Sequence, residues 1–178
     1  KHEPDIYKKI AKVVLPKAYV RLLLTGEHVE EMSDGAGTLW LDVAKRDWSD
    51  DLLGVTGLTR DHMPRLVEGS EVSGELKVEF ISRWGMTGPV VVAGGAGDNA
   101  AAACGIGAVK PGEGFISLGT SGVLFVSNDK FRPNTEGAVH AFCHAIPDTW
   151  HQMGVILSAT DSLNWLSRIT GKSQADLS

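Results

Sequence analysis

The residues best suited to chemistry sit in two glycine-rich turns. In Gly94-Gly95-Ala96-Gly97-Asp98-Asn99 an apolar run, Pro89 to Ala93, leads into a turn that delivers an acid and an amide at the start of a small, alanine-rich segment. Glycines there let backbone approach a ligand, and a strand-to-helix turn presents its side chains at a cleft edge. Asp98 in that place can take the proton of a substrate hydroxyl, the general-base step of phosphoryl transfer. It can equally N-cap a helix starting at Asn99, as aspartate often does. The pattern alone leaves both readings open. A dinucleotide fingerprint is excluded, because G-x-G-x-x-G needs glycine where Ala100 stands.

The second turn is Gly119-Thr120-Ser121-Gly122. Consecutive turn amides flanked by hydroxyls form a concave anion site, although an ordinary hairpin loop uses the same residue types. No lysine follows, so it is not a Walker loop. Four further residues, His140, Cys143, His144 and His151, suggest a metal at first sight. In a strand, however, Cys143 and His144 point to opposite faces, and no metal site is expected from them. Ser33-Asp34 before Gly35 reads as a loop turn from which Asp34 can reach a cleft. The tryptophans Trp40, Trp48, Trp84, Trp150 and Trp165 are scattered, which fits core or cleft wall better than a nucleic-acid stacking platform.

The elements that must position these groups follow from periodicity. Asp5 to Leu15 places Ile6, Ile10, Val13 and Val14 at helical spacing; Pro16 can open a second helix that runs to Leu24 and stops at Thr25-Gly26. A polar loop covers Met32 to Thr38, and Leu39 to Val43 is a short strand or turn. Ser49 is a candidate N-cap for a helix ending before Gly57. Leu76 to Trp84 reads as another short helix, closed by Gly85. Pro89 to Ala93 reads as a buried strand, Asp98 to Gly107 as a tightly packed helix. Phe115 to Leu118 and Val123 to Ser127 form a hairpin around the second glycine turn. A second strand pair spans Ala138 to Ala145 and Trp150 to Leu157, and a helix spans Ser158 to Ile169 with Leu163, Leu166 and Ile169 inward. The first third therefore reads as helical, the composition shift puts a boundary near residue 87, and the half before it has helices but hardly any sheet to cover. Neither half looks complete, so the chain is expected to be a piece of a larger two-domain protein.

Composition removes other classes. Of the 178 residues, 17 are Lys or Arg and 22 Asp or Glu, a net charge of −5 without any basic cluster. That argues against nucleic acid and anionic membranes as partners. No apolar run approaches the roughly 18 residues of a membrane helix, and Lys1 to Lys9 lacks a signal-peptide layout. Two cysteines, Cys104 and Cys143, make no disulfide framework and suggest a reducing, cytoplasmic setting. The 21 glycines are not spread evenly: eleven lie between Gly85 and Gly122, interleaved with apolar residues, which marks that stretch for close backbone approach rather than for a linker.

Together these segments resemble the FGGY carbohydrate kinases. The resemblance runs through Leu15-Pro16-Lys17, Leu24-Thr25-Gly26-Glu27, Met32-Ser33-Asp34, Gly37 to Val43, Trp48-Ser49 and His62-Met63-Pro64. It continues through Val92 to Ala101, Ser117 to Gly122 and His140 to His144, in order and over essentially the whole chain. It implies an α/β, actin-like (ribonuclease-H-like) ATPase fold in two domains, with sugar and ATP meeting between them. Residues 1–87 would be the end of the first, sugar-binding domain and 88–178 the start of the second, nucleotide-binding one. By the same resemblance Asp98 takes the proton from the sugar's terminal hydroxyl and Asn99 hydrogen-bonds the sugar. Gly119, Thr120 and Ser121 lie against the ATP phosphates, and Thr160 and Asn164 contact the nucleotide. ATP and Mg2+ are the implied cofactors and D-xylulose the expected sugar. Another pentulose, a polyol or gluconate is the alternative substrate, and a non-catalytic nucleotide-binding module the alternative function. A second copy of the chain is a candidate partner. The family's opening phosphate loop with its magnesium-side aspartate has no counterpart here, nor has the adenine-binding segment, so the 178 residues by themselves are expected not to turn over substrate.

Overall fold

The computed structural model describes residues 2–177. In chain order the elements are α1 (Pro4–Tyr7), α2 (Pro16–Thr25), β1 (Val29–Glu31), α3 (Met32–Gly35), β2 (Leu41–Asp42), β3 (Asp47–Trp48), α4 (Asp50–Val55), β4 (Arg65–Val67) and β5 (Val72–Glu75). They continue with α5 (Val78–Arg83), β6 (Val91–Ala93), α6 (Asp98–Ile106), β7 (Gly114–Leu118), β8 (Gly122–Asn128), β9 (His140–Cys143), β10 (Trp150–Ile156), α7 (Thr160–Thr170) and α8 (Gln174–Leu177).

The N-terminal half is a patchwork of small sheets. β1 runs parallel to β4, while β2 with β3 and β5 with β6 are antiparallel pairs. The last pair bridges the compositional shift at residue 87, because Val91–Ala93 returns to Val72–Glu75. The C-terminal half is one antiparallel sheet in the order β7-β8-β10-β9. An apolar cluster of Met32, Leu41, Trp48, Leu53, Leu58 and Met63 fills the first half and reaches Cys143 of the second; Ala103, Ala108 and Phe125 form a separate cluster under α6.

Several expected elements appear with their expected punctuation. Pro16 opens α2, and Gly26 closes it in the left-handed region at φ 85°. Ser49 caps α4, its hydroxyl accepting the Leu52 N–H at 3.3 Å. Others differ. The helix expected over residues 5–15 is only the single turn α1, and the chain then runs without regular structure to Leu15, which is extended at ψ 162°. A residue before proline avoids the helical region, and the β-branched pair Val13-Val14 favours the same outcome. Val13 N–H donates instead to His62 O at 2.8 Å.

The polar loop over 32–38 is α3 and a 3-10 turn, because the Glu31 carboxylate accepts from Ser33 N and Asp34 N and so caps the helix. The first half, expected to hold hardly any sheet, in fact holds β1 to β5. The strand expected to be buried, β6, is exposed at Val91 (60%), since it pairs with β5 along one edge only. In α7 Leu163 and Leu166 are half-buried but Ile169 is exposed.

Candidate functional site

Asp98 is the first residue of α6, and the N-cap is Gly97, whose carbonyl accepts Ala101 N–H at 2.8 Å. Its exposed carboxylate accepts from Asn99 N at 2.8 Å and from Asn99 Nδ2 at 3.1 Å, so acid and amide are held together at the positive end of the helix. Among the described residues Asp98 forms no salt bridge. Four hydrogen bonds fix the backbone of the turn before it. Gly94 N donates to Glu71 O at 2.9 Å and Gly95 N to Gly69 O at 2.9 Å. Arg21, buried, donates to Gly94 O and, at 2.8 Å, to Val29 O. Gly97 N donates to Ser33 Oγ at 2.9 Å. The glycines are required for this fit: a Cβ on Gly94 would run into the carbonyl oxygen of Glu68, and one on Gly69 would lie 2.6 Å from Gly95 O.

Behind Ser33 lies a buried acidic pair on β1. Glu31 is fully buried; its Oε2 accepts the Ser33 hydroxyl at 2.7 Å and meets Lys17 Nζ at 3.1 Å, and Lys17 also reaches Asp34 Oδ2 at 3.4 Å. Glu30 beside it is buried with one unpartnered oxygen, and burial pushes its carboxyl above the usual range, helped by the nearby Asp34 charge.

A cavity of about 100 Å3 opens beside Asp98. It is lined by Ser33 and Asp34 of α3, Asp98 and Asn99 of α6, and Phe142, His151 and Met153 of the sheet. Asp34 thus reaches the same space as Asp98. His151 and Met153 alternate on one face of β10, and Phe142 is the register partner of His151 on β9. The His151 ring stacks on Phe125 at 4.2 Å between centroids, and Phe125 in turn stacks on Phe115 at 5.0 Å. Burial, and after it the neighbouring His144, push the His151 pKa down to about 3, so the ring is neutral. Its buried Nδ1 has no hydrogen-bond partner among the described residues, and the same holds for His144 Nε2. Cys143 and His144 do face opposite ways, Cys143 into the first apolar cluster and His144 edge-on to Phe125. Desolvation raises the Cys143 thiol to about 12, leaving it inert at neutral pH.

The second glycine turn is a three-residue tip, Gly119 to Ser121, since Leu118 pairs with Gly122. It is docked on the start of α7. Ala159 N donates to Thr120 O at 2.7 Å, while Thr160 N and Oγ1 donate to Gly119 O at 3.1 and 2.6 Å. The structure therefore gathers Gly119, Thr120, Ser121 and Thr160. Asn164 sits one helical turn away, its amide oxygen accepting from Gln174 at 3.2 Å, and does not join them. The tip lines no part of the Asp98 cavity. Along β10, Met153 lines the cavity, and Ile156, three positions on and on the opposite face, pairs with Gly122 next to the tip.

The sequence profile described as "FGGY family of carbohydrate kinases, N-terminal domain" matches residues 1–105, more than half of the chain. The chain belongs to the FGGY family of carbohydrate kinases. Among its FGGY relatives, a xylulose kinase of Escherichia coli (strain K12) is 54% identical over 173 residues, covering 97% of this chain and 36% of that protein. One from Klebsiella pneumoniae is 51% identical over 171 residues, covering 96% and 35%. A crystal structure of a xyloylose kinase from Brucella ovis superposes with a TM-score of 0.95 at 59% identity, covering 98% of this chain and 36% of that one. The chain therefore spans about a third of the length of the FGGY proteins it matches. Its fold is part of the actin-like ATPase fold of these sugar kinases.

The strand face carrying Phe142, His151 and Met153 escaped the sequence reading, which weighed His151 only as a metal ligand. Its alternation along β9 and β10 was the available signal. Arg21 and Ser33 carried no such signal, because their partners Gly94 and Gly97 lie 73 and 64 residues away.

Proposed function

We propose that the chain is the junction portion of an ATP-dependent kinase that transfers the γ-phosphoryl group to the terminal hydroxyl of D-xylulose, giving D-xylulose 5-phosphate. The observation carrying this reading is the exposed Asp98 carboxylate, in no salt bridge among the described residues, on a turn pinned by four hydrogen bonds at the mouth of a small cavity that Asp34 also lines. Asp98 accepts the hydroxyl proton as the oxygen attacks, and Asn99, tethered to it, orients the sugar. Residues up to about 87 serve the sugar side and those after it the nucleotide side.

The tip fits the nucleotide in its donor chemistry. The Gly119 and Thr120 carbonyls are turned onto α7 and the Ser121 carbonyl accepts from Gly119 N, while the amides of Thr120 and Ser121 have no backbone partners among the described residues and both residues are exposed. Gly119, Thr120 and Ser121 would hold the phosphates, with Thr160 bracing Gly119 and Asn164 further along α7. When bound, ATP supplies the phosphoryl group and Mg2+ neutralises charge across its phosphates. No side chain of this chain is assigned to the metal.

The test is a substrate panel on a full-length kinase carrying these residues: ketopentoses, glycerol and gluconate, with ATP consumption as the readout. D-Xylulose is expected to give the highest kcat/KM. A preference for gluconate or glycerol overturns the sugar assignment, and ATP hydrolysis indifferent to sugar overturns the kinase reading.

A further inference from the structure

We infer that Ser33 is a positioning residue for Asp98, a latch by which a buried carboxylate on β1 sets the place of the acid on α6. This inference rests on the kinase reading above. Ser33 Oγ donates its single proton to Glu31 Oε2 at 2.7 Å and accepts from Gly97 N at 2.9 Å. The direction of both bonds is forced. A backbone N–H only donates, so Ser33 Oγ must accept from Gly97, and its own proton is left for Glu31 Oε2.

The base of the latch cannot shift easily. Glu31 is fully buried, holds Ser33 N at 2.8 Å as well as the hydroxyl, and is neutralised by Lys17 at 3.1 Å. Gly97 is the N-cap of α6, so its N–H lies outside the helical ladder and needs an acceptor. Among the described residues Ser33 is the side chain that supplies it. Gly97 immediately precedes Asp98, and the remaining supports act three and four residues upstream, at Gly95 and Gly94. Loss of the hydroxyl therefore frees the last peptide before the carboxylate while the rest of the turn stays pinned. Because Ser33 also lines the Asp98 cavity, the latch joins the wall contributed by α3 to the wall contributed by α6.

The experiment is a double-mutant cycle in the full-length kinase. Ser33→Ala is expected to lower kcat about 10- to 100-fold, the scale of a misplaced catalytic group, with KM for ATP within twofold of wild type. In an Asp98→Asn background the same substitution is expected to change the residual rate less than twofold, because it acts through Asp98. Ser33→Thr, which keeps the hydroxyl, restores at least a third of kcat. An equal loss in both backgrounds, or no loss in either, overturns the inference. Hydrogen exchange of the Gly97 amide in the unmodified protein decides the matter if Ser33→Ala does not fold: slow exchange supports the latch and free exchange overturns it. A wild-type enzyme without sugar-dependent turnover sinks the kinase reading instead, and the Gly97 amide still reports whether the latch exists.

Discussion

The Asp98 turn and the hairpin tip are both glycine turns that expose polar groups, yet they are supported in opposite ways. The first is gripped from several directions, by Arg21, Gly69, Glu71 and Ser33, with main-chain atoms so close that Gly94 leaves no room for a Cβ. The second projects into solvent and is anchored only where its carbonyls meet α7. The proton acceptor proposed at Asp98 would work only within hydrogen-bond reach of one atom, which an over-determined backbone suits. The phosphate cradle proposed for the tip would offer several amides to several oxygens and so tolerate adjustment.

The largest expected effect probes the rigid turn. Asp98→Asn should lower kcat by about 10²–10⁴-fold in the full-length kinase while sugar binding, followed by calorimetry, changes little. A variant that keeps its kcat would remove Asp98 from the base role. Next, Gly94→Ala should cost roughly 2–4 kcal/mol in denaturant unfolding of the chain, because the Glu68 backbone carbonyl must move.

A pH effect follows. His151 is buried neutral with its pKa at about 3, against 6.5 when unfolded, so the unfolded chain binds the extra proton. Stability is then full above pH 6.5 and falls with decreasing pH, by about 2 kcal/mol at pH 5. His151→Phe should flatten that part of the profile in thermal melts at pH 5 and 7. At the tip, Thr120→Ala should raise KM for ATP by about fivefold, the worth of about one hydrogen bond, with kcat less affected. Gly119→Ala should change stability by less than about 0.5 kcal/mol, since the nearest contact for its Cβ is Ser121 O at 3.7 Å. Should Gly119→Ala prove as costly as Gly94→Ala, the contrast between the two turns would collapse.

What the sequence revealed of these turns depended on how local each one is. The strand, glycines and acid of residues 89–98 are contiguous, and so is the hairpin around 119–122; both were legible. β1 was not. Its Val29-Glu30-Glu31 looks like solvent-facing polarity, and only the folded chain supplies the capping amides of α3 and the Lys17 ammonium that make a buried carboxylate tolerable. Residues 8–15 misled in the other direction: their apolar spacing fits a helix, but Pro16 and a long-range bond to His62 decide for an extended path. The buttress of Asp98 is long-range throughout, and no pattern along the chain announces it.

The docking of the tip has a mechanical corollary. Gly119 and Thr120 spend their carbonyls on the first amides of α7, so loop and helix form a single lever rather than two parts. Anything that displaces the loop must therefore break these bonds or carry the first turn of the helix with it.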